Sequence, residues 1–214
     1  MAGSGTFSLE AAYIANKLIP GVCRDFALKH QPAFKEATWR HLTEKRNQST
    51  ELNWQNLEIR ILTSDISERA IEIIKHNVEC SPLAKIEPAP INPQIRDLFS
   101  YTAEEIANDC KGGSRPIIVL NPPYGKRLDF DAPKLYTRIG RKLKELANDL
   151  NALGIPLTVA ILSPKDDTRN GAKYTCSANL LHECPRLSPE HNSTAKLIVT
   201  SHGGFSLNVF IAKI

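Results

Sequence analysis

Asn121-Pro122-Pro123-Tyr124 stands directly after the apolar run Pro116-Ile117-Ile118-Val119-Leu120, and its composition suits one difficult reaction. An exocyclic amine on a nucleic-acid base is a poor nucleophile because its lone pair is delocalised into the ring. If the Asn121 side-chain carbonyl and the Pro122 backbone carbonyl accept its N–H bonds, electron density returns to nitrogen and the amine is aimed at an electrophilic methyl carbon. Tyr124 offers a face on which an unstacked base can lie, and Pro122 and Pro123 hold the acceptors with little backbone freedom. Neither a metal nor a covalent nucleophile is required. The alternative is a proline-rich turn that only packs an aromatic residue.

Three other places carry candidate chemistry. Gly3-Ser4-Gly5-Thr6 opens a run of apolar residues at helical spacing. Such a turn lets backbone approach a ligand and aims N–H groups at carboxylate or phosphate oxygens, although it also serves ordinary turn geometry. Asp65 closes a β-rich run and suits either of two roles: acceptor for both ribose hydroxyls of a nucleoside-containing cofactor, or N-cap of the helix that follows. Asp97 lies one strand further on, where a carboxylate beside a backbone amide could read an adenine amino group and ring nitrogen, or could be a solvated loop residue. Together the three fit a nucleoside cofactor lying across three strand ends. Gly125-Lys126-Arg127 could contact phosphate beside the extruded nucleotide. Arg24, Lys29, Arg40, Lys45 and Arg46 form a second candidate phosphate surface, though the interleaved acids also fit an exposed helix face.

Periodicity predicts the elements that must position these residues. Phe7, Leu9, Ala11, Ala12, Ile14, Ala15 and Leu18 predict a helix that Pro20-Gly21 stops. Residues 22–56 read as a helical insertion of one or two short helices. Leu57 to Leu62 alternates and leads through Thr63-Ser64 to Asp65, after which residues 66–78 have helical spacing. Four prolines between Pro82 and Pro93 allow at most an edge strand before Asp97-Leu98-Phe99. A helix is expected near 102–110. Residues 116–120 read as a parallel strand buried on both faces, ended by Pro122 and Pro123. Leu135, Ile139, Leu143, Leu146 and Leu150 mark an amphipathic helix, 156–162 a strand, and residues 196–211 a hairpin around Ser201-His202-Gly203-Gly204. Alternation of strands and helices ending in a hairpin predicts an α/β, doubly wound, mostly parallel sheet with one antiparallel strand near its edge. Ligands then sit at the carboxyl ends of the strands.

Composition bounds the problem loosely. The chain has 214 residues, of which 42% are hydrophobic and 23% charged, enough for one α/β domain over residues 1–214 with its own core. Its 27 basic and 23 acidic residues give a net charge of +4, which permits a nucleic-acid partner without demanding one. Five scattered cysteines form no C-x-x-C pair, which excludes a disulfide framework and a cysteine zinc site as organising features. With no apolar run long enough to span a bilayer and no leader pattern, a cytoplasmic protein away from membranes is expected.

Gly-Ser-Gly-Thr-Phe-Ser-Leu-Glu-Ala-Ala (3–12), Ile-Pro-Gly-Val-Cys-Arg (19–24), Trp39, Ser-Asp-Ile (64–66), His-Asn (76–77), Asp-Leu-Phe (97–99) and Asn-Pro-Pro-Tyr-Gly-Lys-Arg-Leu (121–128) resemble one family over nearly the whole chain. It is the RNA methylase family once described as N6-adenine-specific DNA methylases, which includes bacterial large-subunit rRNA guanine-N2 methyltransferases. The resemblance implies a Rossmann-like class I methyltransferase fold. It implies S-adenosylmethionine as donor, bound by Gly3, Ser4, Gly5, Thr6, Asp65, Ile66, Asp97 and Leu98, with no metal. Asn121, Pro122, Pro123 and Tyr124 would hold the target amine, with guanine N2 of 23S rRNA as the expected substrate. Relatives carry an apolar strand immediately before the glycine turn and an upstream THUMP-type RNA-binding domain. Only Met1-Ala2 precede the turn here, so the resemblance implies an N-terminally truncated catalytic domain whose first strand is missing.

Two other enzymatic functions and one non-enzymatic one compete. An adenine-N6 or cytosine-N4 DNA methyltransferase needs the same acceptors for a planar amine. A non-catalytic RNA-binding or scaffold module would keep the fold but has no use for Asn121 to Tyr124. A nicotinamide-dependent dehydrogenase shares the sheet, but Gly-Ser-Gly-Thr-Phe-Ser lacks the third glycine of the dinucleotide fingerprint.

Overall fold

A computed structural model describes residues 1–18, 26–49, 59–110, 115–124, 131–166 and 175–214. These fall into two compact units, one of residues 2–96 and one of Met1 with residues 97–214. Ile19 to Arg24, Leu57-Glu58 and Gly125 to Leu128 lie outside the described residues, as do the side chains of Lys45 and Arg46.

In the unit of residues 2–96 the glycine turn leads into α1 (Thr6–Ala15). The helix stops three residues short of Leu18, because Asn16 ends it, its Nδ2 donating to the Ala12 carbonyl, and Lys17 takes a left-handed φ of 55°. A 3₁₀ turn (Ala27–His30) and α2 (Glu36–Ser49) supply the described part of the expected helical insertion. Trp39 joins them: its ring centroid lies 5.4 Å from that of Phe26 and 6.1 Å from that of Phe34, with Lys29 Nζ 5.7 Å from it. Strand β1 (Ile61–Asp65) and helix α3 (Glu68–Glu79) follow as the alternating and helical patterns predict. The proline-rich segment does form a strand, β2 (Ile91–Ile95), which pairs in parallel with β1 and sets Pro93 opposite Thr63. A two-stranded sheet gives β2 one open edge, and that is where a residue without an N–H can sit. Ile71 and Ile74 of α3 are buried, as are Ala12, Leu83 and Ile91.

In the second unit a 3₁₀ turn (Leu98–Ser100) precedes α4 (Ala103–Asp109), which begins with a complete capping box of Thr102 and Glu105. Strands β3 (Ile117–Leu120), β4 (Thr158–Pro164), β5 (Lys196–His202) and β6 (Phe205–Lys213) form a sheet in the order β3-β4-β6-β5. The β3-β4 pair is parallel and the β4-β6 and β5-β6 pairs antiparallel. The C-terminal hairpin is as expected, with its turn tightened to Gly203-Gly204. Between β3 and β4, helix α5 (Ala132–Ala152) buries Tyr136, Ile139, Leu143, Leu146 and Leu150 completely, the i, i+3, i+4 face that the leucine spacing announces.

One expectation needs correction. β3 is not buried on both faces: Ile117 is 66% and Val119 47% exposed, and Leu120 is the buried member. Side chains alternate along a strand, and the face of Ile118 and Leu120 is the one that meets the core cluster. Within each unit the described strands are hydrogen-bonded as β1-β2 and as β3-β4-β6-β5. Helix α6 (Cys176–Glu183), absent from the periodicity, packs Cys176 and Leu180 into the core.

Candidate functional site

The glycine turn and Asp65, 62 residues apart, are brought together within the first unit. Gly3 and Gly5 both have positive φ, 56° and 76°, a region other residues adopt at a cost. Gly5 N–H donates to the Ala2 carbonyl at 2.9 Å, which closes the turn. Asp65 Oδ2 accepts from the Ala2 N–H at 2.9 Å and the Gly3 N–H at 3.1 Å, and Oδ1 accepts from the Ser67 N–H at 3.0 Å. Burial works to raise the Asp65 pKa. The amides of Ser67, Gly3 and Ala2 outweigh it, and the carboxyl is held below its usual range.

This settles one alternative. Asp65 is not the N-cap of α3: Ser67 is, its Oγ accepting from the Ala70 N–H at 3.4 Å. Asp65 instead staples the glycine turn to the end of β1. Ile66, next to it, is 72% exposed.

The rest of the turn is fixed from α3. Asn77 Nδ2 donates to the Ser4 carbonyl at 3.0 Å, and Ile74 packs so closely that a Cβ on Gly5 would stand 2.8 Å from its Cγ1. Ser4 Oγ and Thr6 Oγ1 lie 3.1 Å apart at the helix start. No side chain caps α1, and the Ser4 and Thr6 amides make no backbone hydrogen bond among the described residues. Sequence reasoning singled out His76-Asn77 without giving it a task, because nothing in the sequence says that Asn77 reaches back 73 positions.

The remaining candidates lie in the second unit. Asp97 accepts from the Phe99 N–H at 3.1 Å and so caps the 3₁₀ turn that begins at Leu98, which is buried. Arg138 of α5 stacks 4.1 Å above the Phe99 ring and steadies that turn. At the carboxyl end of β3, Asn121 is exposed, Pro122 buried, Pro123 exposed and Tyr124 half-buried. Further along, Asp166 accepts from the Ser177 N–H at 2.9 Å and the Ala178 N–H at 2.8 Å, capping α6 from the end of β4. The two buried thiols are poor nucleophiles, since burial pushes Cys176 up to about 12 and Cys184 to about 11.

Comparison with known proteins places this arrangement. Residues 1–158 match the family model described as UPF0020, RMKL-like, methyltransferase domain. The ribosomal RNA large subunit methyltransferase K/L of Shewanella oneidensis is 27% identical over 146 residues, and that of Shewanella baltica is equally similar. The matched stretch is 67% of this chain but 19% of either relative, so the chain spans about a fifth of the length of these curated proteins. Among solved structures, SMU.472 complexed with SAH superposes over 100% of this chain and 46% of its own, with a TM-score of 0.63 and 22% identity. That likeness is one of fold, Rossmann-like and mixed α/β.

Proposed function

Because the chain belongs to the UPF0020 family of RMKL-like methyltransferase domains, we propose that it transfers a methyl group from S-adenosylmethionine to an exocyclic amine of ribosomal RNA, with guanine N2 of 23S rRNA as the target. The observation that carries this is Asn121 exposed at the carboxyl end of β3 with Pro122 buried behind it. The residues fit the donor. The uncapped start of α1 suits a carboxylate, and a Cβ on Gly3 would meet open space. When bound, S-adenosylmethionine supplies an electrophilic methyl group.

In this proposal Gly3, Ser4, Gly5, Thr6, Asp65 and Ile66 bind the donor with Asp97 and Leu98. Asn121 and Pro122 accept the N–H bonds of the amine, Pro123 stiffens the turn and Tyr124 stacks the extruded base. The substrate makes this a cytoplasmic activity in which a THUMP-type RNA-binding domain presents the RNA. The K/L names of the relatives support ribosomal RNA over DNA. The test is incorporation of labelled methyl into unmodified rRNA and into duplex DNA, followed by nucleoside analysis. Labelled N2-methylguanosine is expected, whereas label in DNA alone, as N6-methyladenine or N4-methylcytosine, refutes the assignment.

A further inference from the structure

We propose that Asn77 is a positioning residue for the donor site, acting through the backbone of the glycine turn; the inference rests on the donor-binding proposal above. Ser4 lies between two glycines in left-handed conformations, the stretch of backbone with the most freedom to lose. Its peptide link to Gly5 is held at both ends. The Ser4 carbonyl accepts from Asn77 Nδ2 at 3.0 Å, and the Gly5 N–H donates to the Ala2 carbonyl at 2.9 Å. A peptide unit is planar, so these two bonds together set its orientation. That orientation governs where the amides on either side, those of Ser4 and Thr6, point. They are the two that the turn leaves for a ligand.

The chemistry at position 77 is specific. The residue must be short, must carry a donor, and must stand on the same face of α3 as Ile74, three residues earlier, which fills the space against Gly5. Asparagine is an unfavourable residue inside a helix, and here its amide serves another segment. Aspartate has the same shape but, when ionised, would set a carboxylate against the Ser4 carbonyl.

Titration of S-adenosylhomocysteine into the wild-type protein, Asn77→Ala and Asn77→Asp tests this. Loss of one hydrogen bond should raise Kd about three- to tenfold in Asn77→Ala. At pH 7.5 Asn77→Asp should bind still more weakly. As the pH falls toward the carboxylate pKa a donor returns, and Asn77→Asp should then overtake Asn77→Ala, a reversal that a packing defect does not produce. Without ligand, exchange of the Gly5 amide should quicken in Asn77→Ala. Equal Kd values for the three proteins would overturn this proposal alone. Absence of binding to the wild type would overturn the donor proposal and this one with it.

Discussion

Replacing Gly5 by alanine tests how tightly the glycine turn is built into the first unit. Two costs add. Gly5 has φ 76°, and an L-residue in the left-handed region costs about 1–2 kcal/mol more than glycine. The new Cβ would also stand 2.8 Å from Ile74 Cγ1 and 3.1 Å from Cγ2. Ile74 is fully buried, so it cannot swing aside, and overpacking of this kind costs about 1–3 kcal/mol. The expected destabilisation is about 2–5 kcal/mol, or a fall in Tm of about 4–20 °C. Gly3→Ala is the internal control, because its φ of 56° carries the same backbone penalty but its Cβ meets nothing within 4 Å. It should cost about 1–2 kcal/mol. Denaturant melts of the two variants, and of Ile74→Ala alone and combined with Gly5→Ala, complete the test. Removing both Cγ atoms of Ile74 makes room for the new methyl, so the double mutant should be more stable than the sum of the single losses by at least about 1 kcal/mol. A Gly5→Ala variant no less stable than Gly3→Ala, or strict additivity with Ile74→Ala, would refute the close approach.

Three further outcomes follow from the same geometry. Asn121→Ala should lower kcat for methyl transfer by about 10²–10³-fold while leaving the Kd for S-adenosylhomocysteine within about twofold, read by single-turnover kinetics and titration. Asp65→Asn replaces an acceptor of three amides by a group with one acceptor oxygen. Because the folded-state pKa of Asp65 is lowered, the stability its carboxylate contributes is present above the unfolded value near 3.8 and is lost as pH falls through the folded value. The stability gap between wild type and Asp65→Asn should therefore be full at pH 6 and shrink below about pH 4, and melts at several pH values that gave a constant gap would contradict this. Thr63 Oγ1 is buried in β1 with no partner among the described residues, so Thr63→Val, of the same shape, should be neutral or stabilising by up to about 1 kcal/mol in thermal melts.

What the sequence made legible is what depends on local pattern. The spacing of Ile139, Leu143, Leu146 and Leu150 is enough to orient α5, and Pro93 is enough to keep β2 from having strands on both sides. The position of Asn121 to Tyr124 after an apolar run is enough to end β3. What stayed hidden depends on partners distant in the chain. Ile117 and Val119 read as buried because apolar content reports that a segment is a strand, not whether both of its faces are covered; of β3, the face of Ile118 and Leu120 meets the core cluster. Helix α6 escaped because it shows the core only a few side chains, Cys176 and Leu180 among them, too few to make a period.

Asp65 shows why a residue type at a strand end underdetermines its role. Both sequence-level roles, ribose acceptor and helix cap, treat the carboxylate as serving what comes after it or what binds to it. The three amides it accepts show a prior task, joining the start of the chain to the tip of β1. In the donor site proposed above, a carboxylate already oriented by backbone amides would have less freedom to lose on meeting a hydroxyl than a free surface aspartate has. The same amides lower its pKa, which keeps it an acceptor at neutral pH. Position 65 therefore tolerates neither Asn, which lacks the acceptors, nor Glu, whose extra methylene would displace the oxygens from Ala2 and Gly3. The glycine turn then depends on Asp65 at one end and Asn77 at the other, and a donor site built on it inherits its geometry from two side chains more than 60 residues away.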